Sequence, residues 1–176
     1  ATPAPHAEIL AVVKELLAEG FNPVIFCRFV ATAQYVYDAL KEELKKEDDV
    51  AIGCVTGELV PGEREERVND LGEKEKRVLV ATDCLSEGIN LQDLFTAVVH
   101  YDLAWNPTRH EQREGRVDRF GQKAKEVRCS MIYGENNPVD GFILKVILRK
   151  SEEIKKDLGV IVPIPEKKEA IDKALL

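Results

Sequence analysis

Short apolar runs separated by stretches of helical spacing constrain this chain more than any other feature. The runs lie at 24–27, 50–55, 78–81, 97–101 and 127–133. Most are continuous rather than alternating, the pattern of strands covered on both faces. Between them, Ala33, Val36, Tyr37, Leu40 and Leu44 are spaced like one apolar helix face. Pro61 stands where it can start a helix carrying Arg64, Arg67, Val68 and Leu71. Asn106-Pro107 reads as an N-cap followed by proline at the first helical position. A helix over about 6–18 precedes the first run. A long amphipathic helix over 139–158 follows the last, with Phe142, Ile143, Val146, Ile147 and Ile154 near one side. Strand and helix alternate, which predicts an α/β domain with a parallel sheet and helices on both faces. Such sheets bind ligands at the carboxyl ends of their strands. The loops after Phe26, Val55, Ala81 and Tyr101 are therefore the places to look. One domain is expected over 1–158, with 159–176, which holds Pro163 and Pro165, as a poorly packed exit segment.

The chain has 176 residues and a net charge of -7, which argues against a generally basic protein that coats nucleic acid and leaves room for a local cationic strip. Cys27, Cys54, Cys84 and Cys129 form no C-x-x-C pair, so no zinc site is expected. Three lie in or beside strand-like runs, and all four read as reduced thiols. No apolar run approaches the ~20 residues of a membrane span, and no signal peptide is visible. A cytoplasmic protein is expected, with association to the nucleoid as a possibility and no membrane partner.

The strongest chemical signal is Gln112-Arg113-Glu114-Gly115-Arg116-Val117-Asp118-Arg119-Phe120-Gly121-Gln122. On one helix, Gln112, Gly115, Arg116 and Arg119 would share a face. A mid-helix glycine costs about 1 kcal/mol relative to alanine, so it suggests close approach to the backbone. Two arginines beside it suit the charge of a transferring γ-phosphoryl group. The plain alternative is a charged surface helix in which Glu111, Glu114 and Asp118 pair with the arginines. A second signal follows the 78–81 run. Thr82 sits at a strand end where a hydroxyl can hold phosphate, Gly88 permits close approach, and Asn90 can bond a sugar hydroxyl; a capped turn is the plain alternative. Thr56-Gly57 and Arg28, also at strand ends, are candidate phosphate contacts. Trp105, before Asn106-Pro107, is either a stacking residue or a partly buried aromatic.

Taken in order, Arg28, Thr56-Gly57, Thr82-Asp83 with Gly88-Ile89-Asn90-Leu91, Trp105-Asn106-Pro107 and Q-x-x-G-R-x-x-R with Phe120-Gly121-Gln122 resemble the C-terminal RecA-like lobe of superfamily-two helicases. The Gly-Ile-Asn-Leu, Trp-Asn-Pro and Gly-Gln pieces are similar to the Swi/Snf-like branch, in its prokaryote-style members. The resemblance implies that Arg116 and Arg119 are arginine fingers and that Gln112, Gly88 and Asn90 face the ATP cleft. It also implies that Arg28, Thr56, Gly57 and Thr82 lie along the nucleic-acid backbone, with double-stranded DNA the expected track and a protein complex a possible cargo. No G-x-x-x-x-G-K-[ST] and no D-E-x-H box occur, so the ATP phosphates and Mg2+ would be held by an N-terminal lobe as partner. The start at Ala1 fits an excised C-terminal lobe, inactive by itself. The competing reading is a stand-alone nucleotide-binding or regulatory α/β module.

Overall fold

The computed structural model describes residues 5–47, 49–85, 89–102 and 107–132, together with Phe142, Lys145, Val146 and Arg149. The described elements run α1 (Pro5–Ala18), β1 (Pro23–Phe26), α2 (Val30–Leu44), β2 (Val50–Val55), α3 (Pro61–Leu71), β3 (Lys76–Ala81), α4 (Leu91–Leu94), β4 (Ala97–His100), α5 (Pro107–Glu114) and β5 (Arg128–Met131). The strands form one parallel sheet in the order β2-β3-β1-β4-β5. The chain thus moves out to β2, steps back to β3, then crosses β1 to build the other half.

Continuous apolar strands serve two cores at once, because successive side chains point to opposite faces. Ile25, Cys27, Val78, Val80, Ala97 and Val99 meet Ile9, Val13, Leu16 and Leu17 of α1 and Ala33, Val36, Leu40 and Leu44 of α2. Val24, Phe26, Leu79, Ala81 and Val98 meet Val68 and Leu71 of α3, then Leu85, Leu91, Phe95 and Val117. Gly53 lets β2 approach α3 closely, since a Cβ there would lie 3.2 Å from Leu71 Cδ1.

Two expectations need correction. The last apolar run is shorter than 127–133: β5 pairs only with β4 among the described residues and is half-exposed, with Cys129 exposed. With one neighbour, this strand does not need the two-faced burial of the central ones. The helix expected to carry Gln112 through Arg119 stops at Glu114. Beyond it the backbone tightens, Arg116 N donating to Arg113 O (3.3 Å) and Val117 N to Glu114 O (3.0 Å). Such i→i+3 bonds close a helix end. Of the expected 139–158 helix only Phe142, Lys145, Val146 and Arg149 are described, all helical, with Phe142 exposed. The 159–176 segment lies outside the described residues.

The amino end of the sheet is fastened by Asn22. Its backbone N donates to Thr96 Oγ1 (3.0 Å) and its Nδ2 to Glu75 O (3.1 Å), while its Oδ1 accepts from Arg77 N (3.0 Å). Its carbonyl accepts from Thr96 N (2.9 Å) and Ala97 N (3.2 Å). One side chain therefore bridges the lead-ins to β1 and β3, and its backbone those to β1 and β4. Asn22→Ala strands the Arg77 N–H and the Glu75 carbonyl, and is expected to lower unfolding free energy by about 1–3 kcal/mol in urea titration.

Candidate functional site

The carboxyl ends of β1, β2, β3 and β4 converge on one edge of the sheet. Arg28 follows β1, Thr56 and Gly57 follow β2, Thr82 and Asp83 follow β3, and Asp102 lies just past β4. Thr56 and Thr82 are nearly buried, Thr82 N donating to Val55 O at 3.2 Å. Asn90 immediately precedes α4 and is exposed. Gly88, Trp105 and Asn106 lie outside the described residues.

The arginines around α5 divide into two kinds. Arg113 is only 1% exposed. Its Nε donates to Asp83 Oδ1 (2.7 Å) and its Nη2 to Asp83 Oδ2 (2.9 Å). Its guanidinium also lies 5.6 Å from the centre of the Phe26 ring, and Nη1 reaches the Asp102 carbonyl at 3.4 Å. Asp102 Oδ2 in turn accepts the Arg28 N–H (2.9 Å). Arg109, exposed, adds a second cation to Asp83 at 3.2 Å. Burial alone pushes the Asp83 carboxyl up, but the hydrogen bonds and charges of Arg113 and Arg109 hold it below the usual carboxylate range. By contrast, Gln112 and Arg119 are exposed and Arg116 is partly so. Among the described residues, no hydrogen bond or ion pair engages the side chains of Arg116 or Arg119.

Of the acids expected to neutralise these arginines, Glu114 is engaged elsewhere. Glu114 Oε1 lies 2.7 Å from His100 Nε2, and the His100 and His110 rings meet edge to face at 4.5 Å. Burial, reinforced by the Arg113 charge, pushes His100 down to about 3. Burial pushes Glu114 up to about 7. The buried His100–Glu114 contact thus packs α5 onto β4. Among the described residues, the carbonyls of Glu111 and Gln112 are what a Cβ built at Gly115 would meet within 4 Å, and the glycine stands just past the end of α5.

Two further residues tie loops together, Arg64 at this edge and Gln122 beside the lead-in to β4. Arg64 of α3 donates from Nε to Leu59 O (2.8 Å), from Nη1 to Cys84 O (2.9 Å) and from Nη2 to Gly57 O (3.2 Å), tying the loops after β2 and β3 together. Gln122 Nε2 donates to Phe95 O and Val117 O, each at 3.0 Å, and its Oε1 accepts from Ala124 N. That fixes the turn in which Gly121 adopts φ 96°. Asp83, Arg113 and Arg64 did not stand out as functional positions in the sequence. The signal that could have found the first two is opposite charge at the end of a buried strand and on the helix that must pack near it.

Three outcomes follow from these pairs. Asp83→Asn leaves Arg113 buried without its counter-charge and is expected to cost about 3–5 kcal/mol in urea unfolding. Arg109→Ala, at an exposed pair, should cost under about 1 kcal/mol. Glu114 keeps its proton in the fold beyond the pH at which the unfolded chain releases it. Its stabilisation is complete below pH 4.5 and lost as pH rises towards about 7. His100 acts oppositely, its contribution complete above pH 6.5 and lost towards about 3. Glu114→Gln cannot ionise, so the stability difference between variant and wild type should move in favour of the variant by up to ~3 kcal/mol across the Glu114 window, read from urea midpoints at several pH values.

The chain matches the family model described as helicase conserved C-terminal domain over residues 8–121. The uncharacterized ATP-dependent helicase YqhH of Bacillus subtilis is 39% identical over 94 residues, covering 52% of this chain and 16% of that protein. The ATP-dependent RNA helicase eIF4A of Meyerozyma guilliermondii is 28% identical over 136 residues, covering 77% of this chain and 32% of that protein. Among solved structures, the Sulfolobus solfataricus SWI2/SNF2 ATPase core domain superposes with a TM-score of 0.60 at 22% identity, covering 85% of this chain and 29% of that one. That last likeness is one of fold. The chain spans less than a third of each of these proteins. An RNA helicase and a SWI2/SNF2 ATPase both figure among them, so they do not single out the Swi/Snf-like branch. The parallel sheet with helices on both faces is that of the RecA-like helicase C-terminal lobe. Its motif-bearing loops fall within the matched residues, and the chain belongs to the helicase conserved C-terminal domain family.

Proposed function

We propose that this chain is the C-terminal half of an ATP-dependent nucleic-acid translocase or helicase. It supplies Arg116 and Arg119 as arginine fingers to an ATP site completed by an N-terminal lobe. The observation that carries this reading is the division among the arginines. Arg113 is consumed by the fold, whereas Arg116 and Arg119, immediately beyond the end of α5, have no partner among the described residues. Two cations three positions apart in the sequence and without ion-pair partners among the described residues suit the oxygens of a transferring phosphoryl group, for which such fingers are worth about 10³–10⁵ in turnover. Gln112, Gly88 and Asn90 would border the nucleotide. ATP supplies the phosphoryl group, and Mg2+ is held by acidic residues of the N-terminal lobe. A stand-alone regulatory module gives no reason to leave this cationic pair unsatisfied.

Arg28, Thr56, Gly57 and Thr82 form the nucleic-acid side of the same edge. The Asp83–Arg113–Asp102 chain links that side to α5, so lobe closure around ATP would move strand contacts and fingers together. The Swi/Snf-like residues favour duplex DNA as the track and translocation without strand separation. Phe29, 58% exposed with its ring beside the Arg28 guanidinium, favours a single strand. The test of the motor reading is nucleic-acid-stimulated ATP hydrolysis by the full-length protein. Arg119→Ala is expected to lose on the order of 10³-fold in turnover with ATP binding kept, and the 176-residue chain by itself is expected to show no turnover. Normal hydrolysis by Arg119→Ala would move the regulatory-module reading ahead.

A further inference from the structure

Phe29 gives the fold almost nothing. It is 58% exposed and joins neither apolar core. It occupies the N-cap of α2, where serine, threonine, asparagine or aspartate would satisfy a backbone N–H, yet it makes no side-chain cap bond. A residue that breaks a local preference without serving packing is a candidate for function. The ring is also well placed. The Arg28 guanidinium lies 5.1 Å from its centre, and the Arg28 N–H is fixed to Asp102, whose carbonyl accepts from the buried Arg113. An exposed aromatic is thus presented beside a cation at the carboxyl edge of the sheet, on a backbone anchored to the interior.

We infer that Phe29 is a stacking platform for an unpaired base of a single-stranded nucleic acid, with Arg28 against the adjoining phosphate. The inference rests on the nucleic-acid reading above and narrows it to a strand whose bases are accessible. Flat aromatic faces paired with cations are how proteins hold single strands irrespective of sequence. Duplex DNA hides its base faces and offers such a ring nothing.

The test is fluorescence anisotropy of labelled oligothymidylate, oligouridylate and a matched DNA duplex on the full-length protein across a salt series, with wild type, Phe29→Ala, Phe29→Trp and Arg28→Ala. Phe29→Ala should weaken single-strand binding about tenfold and leave duplex binding and the salt slope unchanged. Phe29→Trp should bind like wild type and show tryptophan emission, in excess of the wild-type signal, that the oligonucleotides quench. Arg28→Ala should reduce the single-strand salt slope by about 0.7. Unchanged or uniformly weakened binding by Phe29→Ala, or no quenching of the excess emission of Phe29→Trp, overturns the stacking assignment while leaving the motor reading intact. Failure of the wild type to bind any of the three ligands would remove both.

Discussion

The pairing of Arg113 with Asp83 organises the working edge of this domain. A guanidinium that is almost wholly withdrawn from water must have its charge answered and its donors filled. Asp83 can do this only if the loop after β3 is held against α5. Arg113 Nη1, donating to the Asp102 carbonyl, brings in the end of β4, and the Asp102 carboxylate brings in the start of α2 through the Arg28 N–H. Three strand ends and one helix are thereby fixed relative to one another. The cation–π contact with Phe26 roots the arrangement in the apolar core beneath.

The same constraint explains the unequal fates of the arginines. Arg113 faces inward and is committed to structure. Arg116 and Arg119 come after the helix has tightened at Gly115 and stand outside that network. The His100–Glu114 contact holds α5 down on β4 at the residue adjoining Arg113, so the neighbouring acid is withdrawn from the surface and unable to neutralise the two outer cations.

Much of this architecture was legible in the residues. Continuous apolar runs announced a two-faced parallel sheet, and Pro61 and Pro107 marked helix starts where the structure has them. What the sequence did not reveal was long-range pairing. Asn22, Asp83, Arg64 and Arg113 look like ordinary polar residues, and their partners stand up to 74 positions away. Periodicity reports which face a residue takes, and it is silent about what that face meets. The helix through Arg119 was misjudged for a related reason: the 3.6-residue spacing continues to fit after the backbone has begun to tighten. The buried look of the run 127–133 was misread because composition does not tell a central strand from an edge one.

Arg64 carries a consequence of its own. Its three nitrogens each hold a different carbonyl, two on the loop after β2 and one on the loop after β3. Carbonyls seized by one planar fork cannot be displaced independently, since the guanidinium has no internal joint. A ligand pressing on the Thr56-Gly57 loop therefore also pulls on the Cys84 backbone. The loop at the sheet's margin and the loop nearer its middle thus share one anchor on α3.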